Sequence, residues 1–252
     1  MKTDEIKFKS NGHSLYGLYE APEETEKPIV LMLHGLTNSL HDCPLIEDAV
    51  KTLHNKGFPT FRFDYFGSGK SDGLFKDKLF SIMVKNTKDV FDYVLKNFGG
   101  PVVLWGRSLG AIFASIICDN KNILTSILIS SGNHTNKSFK RMFPKKRGLS
   151  VSFAKAGTGK MKGNPVLPYK FYKETAWIDK IQKQHLKKAK SVLVVQGTAD
   201  KTIFDHSWAK EIYSWVNKPK KLVYVEGADH AYHGHEKKVI DLCVEWISKQ
   251  TP

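Results

Sequence analysis

Six short apolar runs punctuate the chain, and amphipathic stretches of helical length separate most of them. The runs are "PIVLMLHG" (residues 28–35), "FPTFRFD" (58–64), "PVVLWG" (101–106), "ILTSILIS" (123–130), "SVLVVQG" (191–197) and "KLVYVEG" (221–227). Runs this short, with apolar side chains at consecutive positions, suit strands that are covered on both faces of a parallel sheet. Helical periodicity is found at about residues 45–55, 79–97, 109–119, 206–216 and 236–249. The alternation predicts an α/β fold: a mostly parallel central sheet, helices on both faces, and a ligand crevice beyond the carboxyl ends of the strands. Ahead of it, residues 6–10 and 15–20 alternate in polarity around Asn11-Gly12, which predicts a hairpin forming an antiparallel edge.

The alternation breaks once, between residues 133 and 190, where Gly, Pro and Lys interrupt short amphipathic pieces. Between Lys137 and Lys190 stand 16 Lys or Arg against only Glu174 and Asp179, and outside that segment basic and acidic residues balance, so the net charge of +14 belongs to it. Residues 133–190 are therefore expected to be a basic inserted cap, with residues 1–132 and 191–252 forming one core. The charged start "MKTDEIKFKS" lacks a secretory apolar stretch, and no run approaches the roughly 20 apolar residues of a membrane span. A cytoplasmic protein without a transmembrane segment is expected. Cys43, Cys118 and Cys243 have no metal-binding spacing, and Cys118 and Cys243 fall in apolar periodic stretches as core residues do.

Gly106-Arg107-Ser108-Leu109-Gly110 closes the third run and opens a helical stretch, which places a G-x-S-x-G turn in strand–turn–helix context. Such a bend needs glycines where backbones approach, and it lifts the serine hydroxyl clear of the sheet. The helix behind it offers free amides and its positive dipole end to developing negative charge. Ser108 is the candidate nucleophile. A serine hydroxyl needs a base, and the base a carboxylate to orient it, in the chain order Ser-Asp-His on this architecture. Asp200 stands in the loop "TADKTI" after the fifth run and His230 in "ADHAYHGH" after the sixth. His233 and His235 lie farther from the strand end. Asp205 is the second candidate acid and also a candidate helix cap, while Asp229 adjoins His230 and is poorly placed to orient it. Backbone N–H donors for an oxyanion are expected at Leu109 and, in "LMLHGLTNS", at Leu36; His34 reads as a hydrogen-bonding support for that loop.

With these residues in place, the chain resembles the α/β-hydrolase family in its esterase, lipase and acyl-hydrolase branch. The likeness is carried by "HGL" (34–36), "DYFGSGKSDG" (64–73), "GRSLG" (106–110), "GTADKTI" (197–203) and "GADHAY" (227–232), in that order. It implies Ser108 as nucleophile, His230 as base, Asp200 as its orienter, Leu36 and Leu109 as the oxyanion hole, and chemistry that needs no cofactor and no metal. "RFDYFGSGKSDG" and "GRSLGA" look most similar to small bacterial esterases of hydroxycinnamoyl (feruloyl-type) esters, with monoacylglycerol lipases next. The glycine-rich turn at 64–73 lacks phosphate-loop spacing, so it is expected to shape the site and not to bind a nucleotide.

Within the cap, "LPYKFYKETAWIDK" interleaves Tyr169, Phe171, Tyr172 and Trp177 with lysines. These aromatics either line a substrate pocket whose lysines attract an anionic ester, or pack the cap onto the body with the lysines solvated. No nucleic-acid motif accompanies them, and nucleic acid is not an expected partner. The expected function is a serine carboxylic-ester hydrolase acting through an acyl-enzyme on a small-molecule ester with a small to medium acyl or aryl group. Two alternatives stay open: a thioesterase or acyltransferase with the same triad, and a non-catalytic protein of this fold that binds an anionic partner through its cap. A homodimer is compatible with the sequence.

Overall fold

A computed structural model describes residues 1–142, 149–150 and 166–251. β1 (Lys2–Ser10) and β2 (His13–Ala21) form the hairpin, which turns at Asn11 and Gly12 with φ of 51° and 81°. That left-handed pair is what a two-residue hairpin loop with matching strand twist requires. There follow β3 (Ile29–Leu33), α1 (Pro44–Asn55), β4 (Thr60–Phe63), a 3-10 turn at Phe75–Asp77, α2 (Phe80–Phe98), β5 (Val102–Arg107), α3 (Leu109–Ser115), β6 (Ile123–Ile129) and α4 (Thr135–Met142). A short antiparallel pair, β7 (Leu149–Ser150) and β8 (Val166–Leu167), precedes α5 (Tyr169–Leu186), β9 (Val192–Gly197), α6 (Ser207–Trp215), β10 (Lys220–Val225) and α7 (Glu236–Gln250).

The main sheet runs β1-β2-β4-β3-β5-β6-β9-β10. Its first two pairings are antiparallel and the rest parallel. β4 lies on one side of β3 and β5 on the other, so the chain reverses its direction of travel at β3, and the loops leaving β3 and β5 diverge to open a crevice. This is the α/β-hydrolase architecture.

Residue alternation assigns each strand's two faces. Leu31, Leu33, Val102 and Leu104 join α2, α3, α5 and α6 in one core, while Val30, Met32, Val103 and Trp105 join α1 and α7 in the other. The runs read as uniformly apolar in sequence because both faces are buried. α3 is only seven residues long, well below the roughly 12–15 an isolated helix needs. All seven are buried, so tertiary packing holds it.

Two of the boundary shifts from the sequence expectation have a clear physical reason. β1 begins at Lys2, before the alternating stretch, because its ladder to β2 is made by backbone groups that need no apolar side chain. The helix expected over 109–119 stops at Ser115. There Ser115 Oγ donates back to the Ile112 carbonyl at 2.6 Å, and the Ile116 and Ile117 amides turn to carbonyls three residues back, tightening the chain out of the α-helix. Cys43, Cys118 and Cys243 are all buried and free. Residues 143–148 and 151–165, the middle of the segment expected to form the cap, lie outside the described residues.

Candidate active site

The turn between β5 and α3 is built by close contacts that only glycines allow. A Cβ on Gly106 would meet the Gly110 carbonyl oxygen at 2.5 Å, and one on Gly110 would meet the Leu33 carbonyl oxygen at 2.0 Å. Between them Ser108 takes φ 55° and ψ −120°, a backbone that costs a non-glycine residue about 1–3 kcal/mol. Its amide donates to the Ile129 carbonyl at 2.8 Å, and the helix carbonyl bonds continue from its own oxygen, so the packed strand–helix unit imposes the conformation. The consequence is a hydroxyl raised above the ends of the sheet.

Three loops converge on that hydroxyl. Ser108 Oγ lies 3.0 Å from His230 Nε2, and His230 Nδ1 lies 2.8 Å from Asp200 Oδ2. Asp200 is fully buried at its side chain and also accepts the Thr202 and Ile203 amides on Oδ1 and Gln196 Nε2 on Oδ2. Burial alone would raise its pKa; the hydrogen bond to His230, the charge of that ring when protonated, and the Ile203 amide outweigh it and bring the carboxyl down to about 2. An ionised Asp200 is an acceptor only, so the neutral imidazole keeps its proton on Nδ1 and turns a bare Nε2 to the serine.

The loop carrying His230 is fixed at two further points. Arg107, the buried residue before the serine, donates through Nη2 to the His230 carbonyl at 2.9 Å and through Nη1 to Asn38 Oδ1 at 3.3 Å. Tyr232, with φ 64°, is buried with its hydroxyl 2.9 Å from Ser130 Oγ. His206 Nε2 bonds the Asp200 carbonyl at 2.8 Å and steadies the third loop.

The other residues weighed from the sequence are engaged elsewhere. His233 Nδ1 pairs with Asp229 Oδ2 at 2.7 Å, and His235 turns to the His233 carbonyl. Asp205 accepts the amide and hydroxyl of Ser207, the first residue of α6, from one position ahead of the N-cap residue His206.

After β3, the would-be Cβ of Gly35 lies 3.5 Å from Ser108 Cβ, so this loop passes beside the serine. The Gly35 carbonyl is held by His34 Nδ1 at 2.7 Å and by the Asn38 amide at 3.3 Å. In a trans peptide the Leu36 N–H points the opposite way from that oxygen. Among the described residues, neither the Leu36 nor the Leu109 amide donates to a protein acceptor. Burial and the neighbouring Lys78 charge lower the His34 pKa to about 3, which keeps the ring neutral. It serves the loop as a hydrogen-bonded strut, with the Tyr65 amide on Nε2. In the glycine-rich turn, Asp64 accepts the Leu40 and Lys70 amides at 2.8 Å each and ties that turn to the same loop.

The four aromatics weighed between residues 169 and 177 divide. Phe171 is wholly buried against Phe80 and Phe139, ring centroids 4.8 and 5.4 Å away, and packs α5 onto the body. Tyr172 and Trp177 are half-buried against the same core, and Tyr169 is exposed beside Tyr172 and Lys173. None of the four hydrogen-bonds to Ser108, Asp200 or His230 among the described residues.

Sequence reasoning missed Arg107, Gln196, His206, Tyr232 and Lys78. Only Arg107 carried a signal, a charge inside the apolar run "VVLWGRSLGA", where burial demands partners. Among the described residues, no cluster of three His, Cys, Asp or Glu is arranged for a metal, and no helix is long and apolar enough to cross a membrane.

A family profile described as serine aminopeptidase, S33, matches residues 24–156, more than half of the chain. Comparison with curated protein sequences finds no match. Among solved structures, the ferulic-acid complex of Est1E from Butyrivibrio proteoclasticus superposes with a TM-score of 0.82 at 22% identity, over 97% of this chain and 98% of that one. The esterase domain of a Rhodothermus marinus protein gives 0.72 at 14% identity over 98% and 100%. The α/β hydrolase GrgF from Penicillium sp. sh18 gives 0.76 at 14% identity over 99% of each chain. At such identities the structural likeness establishes the shared fold.

Proposed function

Given that the chain belongs to the serine aminopeptidase S33 family of α/β-hydrolases, we propose that it is a carboxylic-ester hydrolase for small to medium acyl or aryl esters. The carrying observation is the relay from Ser108 Oγ through His230 to a buried, ionised Asp200, with the serine on a strained turn. In this reading Ser108 Oγ attacks the ester carbonyl carbon while its proton passes to His230 Nε2. The carbonyl π pair moves to oxygen, and the Leu36 and Leu109 amides receive that oxyanion. Collapse expels the alkoxide, which takes the proton back from His230. Water, activated by the same imidazole, then attacks the acyl-enzyme and releases the acid.

Charge favours an ester over a peptide amino terminus. Among the described residues, Asp200 is bound to His230, Asp229 to His233, and Glu211 to Asn133 and His134, so each would have to share or give up a partner to receive an α-ammonium. The segment from Lys137 to Lys190, with its 16 basic residues, adds a field that repels cationic substrates and attracts anionic ones. Est1E holds ferulic acid in its structure, which supports counting aryl esters among the substrates of this reading.

A panel of p-nitrophenyl, hydroxycinnamoyl, monoacylglycerol and acyl-thioester substrates, with an amino-acid p-nitroanilide alongside, tests the reading. Ester kcat/KM should exceed that on the anilide and the thioester. A preference for the anilide would replace it with an aminopeptidase, and a preference for the thioester with a thioesterase.

A further inference from the structure

Lys78, between the 3-10 turn and α2, is among the largest fully buried side chains of the protein. Its Nζ donates to the Leu36 carbonyl at 3.0 Å and to Ser68 Oγ at 2.6 Å, and sits 4.8 Å from the centre of the Phe75 ring. No salt bridge neutralises it among the described residues. A buried ammonium is expensive, and methionine would fill the space without that cost. The lysine therefore has to be explained by what it holds.

What it holds is the second of two adjacent peptides. The Gly35 carbonyl, on the peptide that carries the Leu36 N–H, is pinned by His34 and the Asn38 amide. The Leu36 carbonyl, on the next peptide, is pinned by Lys78 alone among the described residues. With both flanking planes fixed, Leu36 can neither rotate about its own φ and ψ nor swing its amide away from Ser108.

We propose that Lys78 is the positioning residue of the oxyanion hole, holding the Leu36 amide on the developing oxyanion through the Leu36 carbonyl. This rests on the reading of Leu36 as an oxyanion donor given above. Burial lowers the Lys78 pKa to about 7, opposed by the charge of Asp64; the titratable groups facing it are Asp64 and the neutral His34. The ammonium has three donors and the free amine two, so either form can serve both oxygens and the link survives titration. Nothing in "LFKDKLF" marks Lys78 apart from the solvated lysines around it.

The test compares wild type with Lys78→Met and Lys78→Gln, each titrated with a fluorophosphonate so that rates refer to reactive serines. A misplaced donor is felt where charge develops, so kcat per titrated site should fall about 10- to 100-fold while KM stays within about twofold. The inhibition constant of an aryl boronic acid, whose adduct with the serine is tetrahedral, should rise by the factor that kcat/KM loses. A purely structural lysine would reduce the number of titrated sites and leave kcat per site unchanged. Overturning results are kcat per site within twofold of wild type in a folded variant, a rise in KM at constant kcat, or failure of both variants to fold. If wild type itself takes no label at Ser108, it is the reading of the active site that fails, which separates the two outcomes.

Discussion

The buried Arg107 guanidinium donates through Nη2 to the backbone carbonyl of His230 at 2.9 Å. The strand that leads into Ser108 thereby holds the loop that carries His230. With its second amino group on Asn38, Arg107 also ties in the loop that passes beside Ser108. The position is one of the two variable ones of the G-x-S-x-G turn, and here it joins three loops.

Arg107→Met keeps the bulk and removes both links. Misplacement of a general base by a fraction of an ångström to an ångström lowers turnover by about 10- to 100-fold. We expect kcat to fall in that range with the fluorophosphonate-reactive fraction retained. Unchanged kcat in the folded variant would make the guanidinium contacts incidental.

Asp200→Asn leaves the amide oxygen able to accept Thr202 and Ile203 but presents an N–H toward His230 Nδ1, reversing the tautomer. By analogy with other serine triads, kcat should drop about 10³- to 10⁴-fold near neutrality. The same substitution has a stability signature. The folded pKa is depressed from 3.8 to about 2, so the charge stabilises the fold above the unfolded value and that contribution disappears as pH falls through the folded one. It is on the order of 2 kcal/mol. Urea denaturation should show wild type losing more stability than Asp200→Asn between about pH 4 and pH 2; parallel losses would contradict the depressed carboxyl.

The two acids of the basic segment are turned inward. Glu174 accepts the amide and hydroxyl of Ser81, and Asp179 accepts the Thr135 amide at 2.7 Å. Lys170, Lys173, Lys180, Lys183, Lys187 and Lys188 remain exposed, with no carboxylate partner among the described residues. Raising salt from about 0.01 M to 1 M shortens the Debye length from about 30 Å to about 3 Å. kcat/KM on a carboxylate-bearing aryl ester should decline several-fold over that range, while a neutral ester of equal acyl length holds steady. Identical salt responses would remove the lysines from substrate capture.

Much of this arrangement was legible before any coordinates. Ser108, Asp200 and His230 announced themselves because each follows a strand-like run, and the glycines at 106 and 110 have a steric reason that sequence spacing preserves. The strand order came with less information, since uniformly apolar runs do not say which neighbour they pair with. Arg107 carried a signal that went unread, a charge inside an apolar run, and its link could not be read at all, because its partners are a carbonyl 123 positions away and an amide in another loop. Lys78 was illegible: burial is a property of the packed 3-10 turn, and the residue letter is the one used on the surface throughout this chain. For Phe171 the spacing left a substrate pocket and core packing both open, and only the packed environment decides for the core.

The central claim is that the Ser108 hydroxyl becomes the acyl carrier. It is tested most directly by mixing the enzyme with a p-nitrophenyl ester, quenching in acid within the pre-steady state, and mapping the acyl group by peptide mass. The expected result is one acyl group on the peptide containing Ser108 in wild type and none in Ser108→Ala. Ester hydrolysis that proceeds in Ser108→Ala, or an acyl group carried on any other residue, would contradict it.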